Sequence, residues 1–408
     1  MTGIGYLKTY SKSECFGCEA CAQVCVVGAI TFVVDKDGFR YPKIDAGKCV
    51  RCGRCQSVCP VSSLPERHDE PIFTFGGYVK NQEVRRGSTS GGVFSALMDS
   101  WCDADTIVFG AETKGLHVRH SWVKYADGID RFRKSKYLQS EIGSCYKDAQ
   151  RFLSEGERVC FSGTPCQIAG LMKVLGDVTH DNLLTIEVVC EGVPTPLYIS
   201  KFADYLGKKL GGTVTDIDYR YKDGRRWDFE VMQASLQNPI SGTFKWKQDR
   251  WFNPFWSIWL QHLISRPSCY ECPFATRKRV ADITLGDLWG VHLYCPELYG
   301  RNGGASVVFC NSPKGRHVLE LAKPLLYGHE LPLETAVRYQ GPMRSHIAKN
   351  ERRAECMEDL QAMEYESFVR KWAKRPSLKL LIQKYIWGNR QKVWLWNLLH
   401  RRLGDNLG

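Results

Sequence analysis

No run of 18 or more apolar residues occurs in the 408-residue sequence, so nothing in it predicts a membrane-spanning helix. The opening stretch MTGIGYLKTYSKSEC lacks an apolar core segment, and no secretory signal is expected. There is no Gly-Lys-Ser/Thr phosphate loop and no G-x-G-x-x-G fingerprint. Acidic residues are outnumbered, giving a net charge of +12, yet the excess is local. From Arg370 to the end ten Lys/Arg stand against the single acidic residue Asp405, which is +9, and the rest of the chain is nearly balanced. That distribution argues against reading the whole chain as a nucleic-acid or membrane binder.

Cysteine, by contrast, is abundant, at 18 residues. In a chain without an export signal this points to metal or redox use and not to disulfides, and a cytoplasmic location is expected. Cys15, Cys18, Cys21 and Cys25, then Cys49, Cys52, Cys55 and Cys59, each read C-x2-C-x2-C-x3-C, with Pro60 after the second run and Val26 in the matching place after the first. Structural zinc usually takes C-x2–4-C pairs, not three cysteines in seven residues closed by a fourth. The spacing suits two 4Fe-4S clusters in which the fourth cysteine of each run serves the other cluster. One set is therefore Cys15, Cys18, Cys21 and Cys59; the other is Cys49, Cys52, Cys55 and Cys25.

Residues 1–61 thus form a bacterial-type ferredoxin module, with a hairpin about Asp37–Gly38 between the two runs. Polar, Pro-bounded residues 62–71 read as a linker. Beyond it, strands alternate with helices. Strands are expected over Phe73–Lys80, Thr106–Ala111, Arg158–Phe161, Leu183–Val189, Val214–Tyr221, Trp227–Met232 and Ser306–Phe309. Helices are expected over Val93–Trp101, Ile142–Ser154, about Gln167–Leu175 and Pro196–Leu210. The fold class is α+β or α/β: a mixed-sheet body whose two parts are 72–160 and 161–330, followed by a helical region 331–408. The basic stretch from Ser377, interrupted by Gly388, predicts two short helices. These could pack on the body, dock a partner or touch an anionic membrane surface weakly.

Three stretches of the body carry chemistry. Gly87-Ser88-Thr89-Ser90-Gly91-Gly92 leads into a helix, which suits either a capped turn or an anion site. Lys134-Ser135-Lys136-Tyr137 could hold a phosphate beside a ring or be a solvated basic loop. Cys166 and Cys190 close predicted strands, and with Cys269-x2-Cys272 they supply four thiols. That count is enough for another cluster, although a C-x-x-C pair alone also fits a redox dithiol or half a zinc site. Among the other cysteines Cys295, before Pro296, is a conceivable substitute ligand; the rest suit packing.

GSTSGGVFSAL, KSKYLQS, VCFSGTPCQIAGL, VVCEGVP and CYECPF…RVADITLGDLWG occur in the order seen in the family of coenzyme F420 hydrogenase/dehydrogenase beta subunits. The sequence is therefore identified as resembling that family with an added two-cluster ferredoxin module, and it is also similar to 7-hydroxymethyl chlorophyll a reductases. The resemblance implies FAD in the body, with Gly87, Ser88, Thr89, Ser90, Gly91, Gly92, Lys134, Ser135, Lys136 and Tyr137 as flavin contacts and Gly163 and Thr164 beside the ring. It further implies Cys166, Cys190, Cys269 and Cys272 as ligands of a third 4Fe-4S cluster, and Asp282, Gly286 and Asp287 as pocket-shaping residues. A cluster passes one electron and a flavin can gather two, so the expected protein is an iron–sulfur flavoprotein oxidoreductase performing hydride-type chemistry on a small substrate or a deazaflavin-type coenzyme. Its expected electron donor or acceptor is a ferredoxin or a partner subunit. The alternatives are an electron-transfer subunit of a larger hydrogenase- or dehydrogenase-type complex, and a non-catalytic cluster-bearing scaffold. No catalytic side chain is assigned.

Overall fold

The computed structural model describes residues 5–176, 181–224, 227–299 and 303–386, with a few positions beyond. In the module, β1 (Ile30–Val34) and β2 (Arg40–Ile44) form an antiparallel hairpin in which Val34 faces Arg40. The turn holds because Asp35 accepts backbone N–H bonds from Asp37 and Phe39 and because Gly38 sits at φ +85°.

The body is built on eight strands: β3 (Phe73–Val79), β4 (Ile107–Lys114), β5 (His117–Lys124), β6 (Val159–Gly163), β7 (Leu183–Val188), β11 (Ile283–Asp287), β12 (Ser306–Cys310) and β13 (Leu326–Glu330). Their order across the sheet is β13-β3-β12-β11-β7-β6-β4-β5. The four central strands β4, β6, β7 and β11 are parallel, and the flanking pairs are antiparallel. Burial on both faces explains why VCF (159–161) and LLTI (183–186), Thr185 apart, are apolar instead of alternating. One face is covered by the helices Val93–Trp101 and Pro313–Ala322, the other by Cys145–Ser154 and Pro165–Leu175. A second antiparallel sheet, β8 (Thr213–Tyr221), β9 (Val231–Asn238) and β10 (Gly242–Gln248), packs with the helices Pro196–Leu210, Pro254–Trp259, Arg353–Ala362 and Tyr365–Trp372. This mixed α/β architecture is the expected class.

Several details differ from the sequence reading. Both parts of the body contribute to one sheet, and position 160/161 falls inside β6. Residues 62–71 do not run free: Arg67 donates to the Pro273 carbonyl and His68 pairs with Arg279 through a β-bridge. Residues 227–229 form a 3-10 turn, so the strand begins only at Val231. Glu230, at φ +44°, makes the break. Of the C-terminal stretch, Leu378–Leu381 and Ile382–Ile386 are helical. Most of the second helix expected beyond Gly388 lies outside the described residues. Tyr385 donates to Asp249 and packs edge-on against Phe229, which ties residues 377–386 to the body.

Candidate cluster sites and the cleft beside them

The two cysteine runs curl in the same way. Gly17 and Glu19 in the first, and Arg51 and Gly53 in the second, have φ between +55° and +76°. Each run then enters a one-turn helix, Ala20–Gln23 or Arg54–Ser57. Left-handed residues at matched places bend each loop so that its thiols converge, and two non-glycine residues accept that conformation, a strain seen at functional sites. Burial pushes Cys18 well above the ordinary thiol range, followed by the neighbouring thiols of Cys21 and Cys59. Burial likewise raises Cys55, with Cys49, Cys52 and Cys25 as its thiol neighbours. The structure thus gathers Cys15, Cys18, Cys21 and Cys59 on the inner side, and Cys25, Cys49, Cys52 and Cys55 on the outer side where Cys52 is exposed.

The body brings four more thiols together. β6 and β7 are parallel neighbours in which Gly163 faces Glu187, so the chain leaving their carboxyl ends delivers Cys166 and Cys190 to one edge. This is the edge of a parallel sheet where ligands usually bind. Cys166 lies in the first turn of the helix Pro165–Leu175, whose capping box joins Thr164 to Gln167. Thr164 Oγ1 stands 3.2 Å from Cys166 Sγ. Behind this corner lies His120, pushed down to about 4 by burial. Being neutral, it donates from Nε2 to the Ser162 carbonyl at 2.9 Å and accepts from Ser140 Oγ at 2.8 Å, while Gln167 donates to Ser140.

Cys269 and Cys272 arrive from the 3-10 turn Pro267–Glu271. The four thiols line a cavity of about 310 Å³ with Phe16, Gln139, Arg266 and Arg279. Burial comes first in raising each of them, Cys269 to about 11 and Cys272 to about 12, and neighbouring thiols of the same set add to it for Cys190, Cys269 and Cys272, whereas Thr164 and Arg266 pull Cys166 back down. Four half-buried cysteines lining one cavity fit a cationic metal centre bound as thiolates. Arg279 borders the cavity, pairs with the buried Glu187, donates to the Phe274 and Thr276 carbonyls and leaves Nη2 without a partner among the described residues.

The inner set and the body set adjoin. Phe16 packs edge-on against Phe274 and, with Cys18, joins the apolar core that Cys166 and Cys272 flank. Arg266, 1% exposed, donates to the Cys15 carbonyl at 2.8 Å, Gln139 Oε1 at 3.2 Å and the Arg40 carbonyl at 3.0 Å, and lies 3.5 Å from Cys15 Sγ. None of these partners is a carboxylate, so a permanent buried cation is answered by dipoles, sulfur and the ring faces of Tyr41 and Phe39.

The stretches proposed as flavin contacts also meet: Ser135 N donates to Thr89 Oγ1 at 2.7 Å. Much of their polarity is already spent within the chain. Ser88 donates to the Val84 carbonyl, Ser90 to the Ala305 carbonyl, Lys134 pairs with Asp218, and Lys136 donates to the Arg131 and Arg133 carbonyls. Gly87 approaches the Glu83 carbonyl, Gly91 abuts Gly77 and Ser306, Gly92 abuts Val79, and Gly163 lies against Gln167. Tyr137 Oη sits 3.0 Å from Arg220, itself 2% exposed at the side chain and paired with Asp287 and Glu230. The Arg220 guanidinium carbon is 5.6 Å from the ring centres of both Trp227 and Trp289, and its Nη2 has no partner among the described residues. Asp282 instead binds Thr185 and Ser312, Gly286 packs against Val189, and both serve the core.

Arg220, Lys222, Trp289, Arg266 and Arg279 escape sequence reading. A lone arginine or tryptophan gives no spacing signal, and only the fold shows that it is enclosed.

Residues 156–330 match the family described as the C terminus of the coenzyme F420 hydrogenase/dehydrogenase beta subunit, and residues 14–63 match the 4Fe-4S dicluster domain. A component of the F(420)H(2) dehydrogenase of Methanosarcina mazei is 25% identical over 190 residues, covering 43% of this chain and 53% of that protein. A polyferredoxin-like protein of Methanocaldococcus jannaschii is 38% identical over 65 residues, covering 14% of this chain and 39% of its own length. The chain thus spans about half or less of the curated relatives it matches. A solved chain from the F420-reducing [NiFe] hydrogenase complex of Methanosarcina barkeri aligns over 74% of this chain and 91% of its own, at 16% identity and a TM-score of 0.43.

Proposed function

From the premise that this chain belongs to the family of coenzyme F420 hydrogenase/dehydrogenase beta subunits and carries a 4Fe-4S dicluster domain, we propose an electron-transfer flavoprotein with three cluster sites in series. Bound there, 4Fe-4S clusters pass single electrons, and FAD exchanges them for hydride-type pairs. The chain's own contribution is order. Cys25, Cys49, Cys52 and Cys55 face outward, Cys15, Cys18, Cys21 and Cys59 lie inward, and Cys166, Cys190, Cys269 and Cys272 follow across Phe16 and Arg266. That direct contact between the inner set and the body set is the observation carrying the proposal.

For FAD the support is the meeting of the Gly87–Gly92 and Lys134–Tyr137 stretches beside the enclosed Arg220, whose guanidinium lies near the Trp227 and Trp289 rings. The unpartnered Nη2 of Arg220 is a donor suited to an anionic or carbonyl group of a planar ligand. The Gly87–Gly92 and Lys134–Tyr137 stretches then position Arg220 more than they bind with their own side chains. No residue is assigned as an acid or base.

Electrons would enter or leave through a protein partner. Val26, Val27 and Val50, 71%, 41% and 62% exposed, flank Cys25 and Cys49 and give the outer set an apolar rim. That rim suits a partner subunit or a ferredoxin better than a small molecule. The test is an anaerobic iron and flavin count: about twelve iron and one FAD per chain are expected, and Cys166→Ser removes about four iron without touching the module. About eight iron, unchanged in the variant, would overturn the third site; absence of flavin would overturn the FAD assignment alone.

A further inference from the structure

Away from all twelve of those cysteines, Cys295, Glu297 and His329 converge. Sγ of Cys295 lies 2.9 Å from Glu297 Oε1 and 3.1 Å from His329 Nε2, and the last two atoms are 3.4 Å apart. The three residues come from separate segments: Cys295 ends the short helix Val291–Tyr294, Glu297 lies in the next turn Pro296–Tyr299, and His329 lies on the edge strand β13. We propose that they form a binding site for a zinc-class divalent transition ion, with the fourth coordination position left to solvent.

The donor set selects the metal. One sulfur, one imidazole nitrogen and one carboxylate oxygen suit zinc or a close neighbour; calcium and magnesium prefer all-oxygen shells, and an iron–sulfur cube needs four sulfurs. The distances fit as well. Tetrahedral zinc at ordinary bond lengths holds such ligand atoms roughly 3.4–3.6 Å apart. The imidazole–carboxylate separation therefore already matches, and the sulfur need recede by only about half an ångström. Cys295 rests on the apolar core with Leu288, Val307 and Phe309, which fixes its place. Glu297 and His329, with side chains 39% and 49% exposed, leave an approach from solvent. A bound ion would tie the edge strand β13 to the short helix Val291–Tyr294 that Cys295 ends. The site stands on its own geometry and requires neither flavin nor a third cluster.

The full chain, with its iron in place, is equilibrated with ZnCl2 and desalted. Zinc and iron are counted by plasma emission, and the zinc K-edge is read for ligand type. The expected result is one zinc per chain with one sulfur at about 2.3 Å and nitrogen or oxygen ligands near 2.0–2.1 Å. His329→Gln, a change on a half-exposed edge strand that leaves the fold intact, should lower zinc affinity at least about 10-fold at unchanged iron. Cys295→Ala should do the same and lose the sulfur. Zinc that does not survive desalting in the unaltered chain, equal affinity in His329→Gln, or an edge showing three or four sulfurs would overturn the proposal, the last by placing the metal among the cluster cysteines.

Discussion

Replacing Arg266 by Gln removes a charge from a place where water cannot substitute for it. The guanidinium is 1% exposed, is 3.5 Å from Cys15 Sγ and borders the cavity of the body set. Its hydrogen-bond partners are the Cys15 and Arg40 carbonyls, Gln139 and Cys15 sulfur, none of them a carboxylate. Adding an electron to a cluster held by Cys15 adds a negative charge on the order of 6 Å from this cation, which at an effective dielectric constant of 20 is worth about 3 kcal/mol. Relaxation of nearby dipoles removes part of that, so the midpoint should fall by on the order of 100 mV for one electron. The sign is fixed: without the cation, reduction is harder. Arg266→Lys should shift the potential less, because it keeps the charge while losing the forked geometry. An anaerobic redox titration followed by electron paramagnetic resonance reads the inner signal directly, with iron content measured on the same samples. An unchanged midpoint at full iron content in Arg266→Gln would show that the charge is compensated elsewhere and refute the reasoning.

Lys222, enclosed beside Arg85 and Arg220, is pushed down to about 7, by burial first and those cations next. The folded protein therefore sheds this proton above pH 7 while the unfolded chain holds it to about 10.4. Stability from this group rises with pH across that window, and Lys222→Met should flatten the rise in Tm between pH 7 and 9. Thr164→Ala removes the cap of the helix bearing Cys166 and should cost about 1 kcal/mol in denaturant unfolding; iron that stays at the parent level would show that the cap is not needed to present the thiol. Val26→Ser with Val50→Ser should raise KM for a protein electron donor severalfold while leaving reduction by dithionite unchanged, and an unaltered KM places the docking face elsewhere. Deleting 377–408 should leave liposome binding as it was, since Tyr385 anchors the start of this stretch to Asp249; a loss of vesicle binding on truncation would instead assign the tail to a membrane surface.

Much of this site was legible before any fold was known, because iron–sulfur chemistry writes itself into spacing. Each of the runs Cys15–Cys25 and Cys49–Cys59 carries three ligands of one cluster and the fourth of the other within eleven residues. Cys166 and Cys190 were readable for a different reason: each follows an apolar run short enough to be a buried strand. Neighbouring parallel strands then bring their ends together. The five ordered motifs pointed to the family that residues 156–330 match. What escaped was whatever depends on enclosure. His117–Lys124 carries charge on its open face and sits at the sheet edge, so it lacked the signature of a core strand. Arg266 reads as an ordinary surface arginine in SRPSC, and only packing against Cys15, Gln139 and Tyr41 reveals otherwise. The loop 87–92 looked like a ligand cradle because small residues serve tight backbone packing equally well, and here they lie close to Gly77, Val79 and Ser306.

The hairpin of the module is pinned at its tip. Thr195 donates to the Asp37 carbonyl, Gln361 donates to the Asp37 carboxylate at 2.8 Å, and a side chain at Gly38 would strike Thr195 and Leu197. Carrier domains that shuttle charge on a tether must undock, diffuse and redock, and their turnover slows with solvent viscosity and with tether length. A module fastened on both its hairpin and its Cys15 side has no such cycle. In the proposed series of sites its transfer rate would be set by a fixed tunnelling gap, so glycerol and insertions in 62–71 should leave the internal step untouched and slow only the encounter with the outside partner.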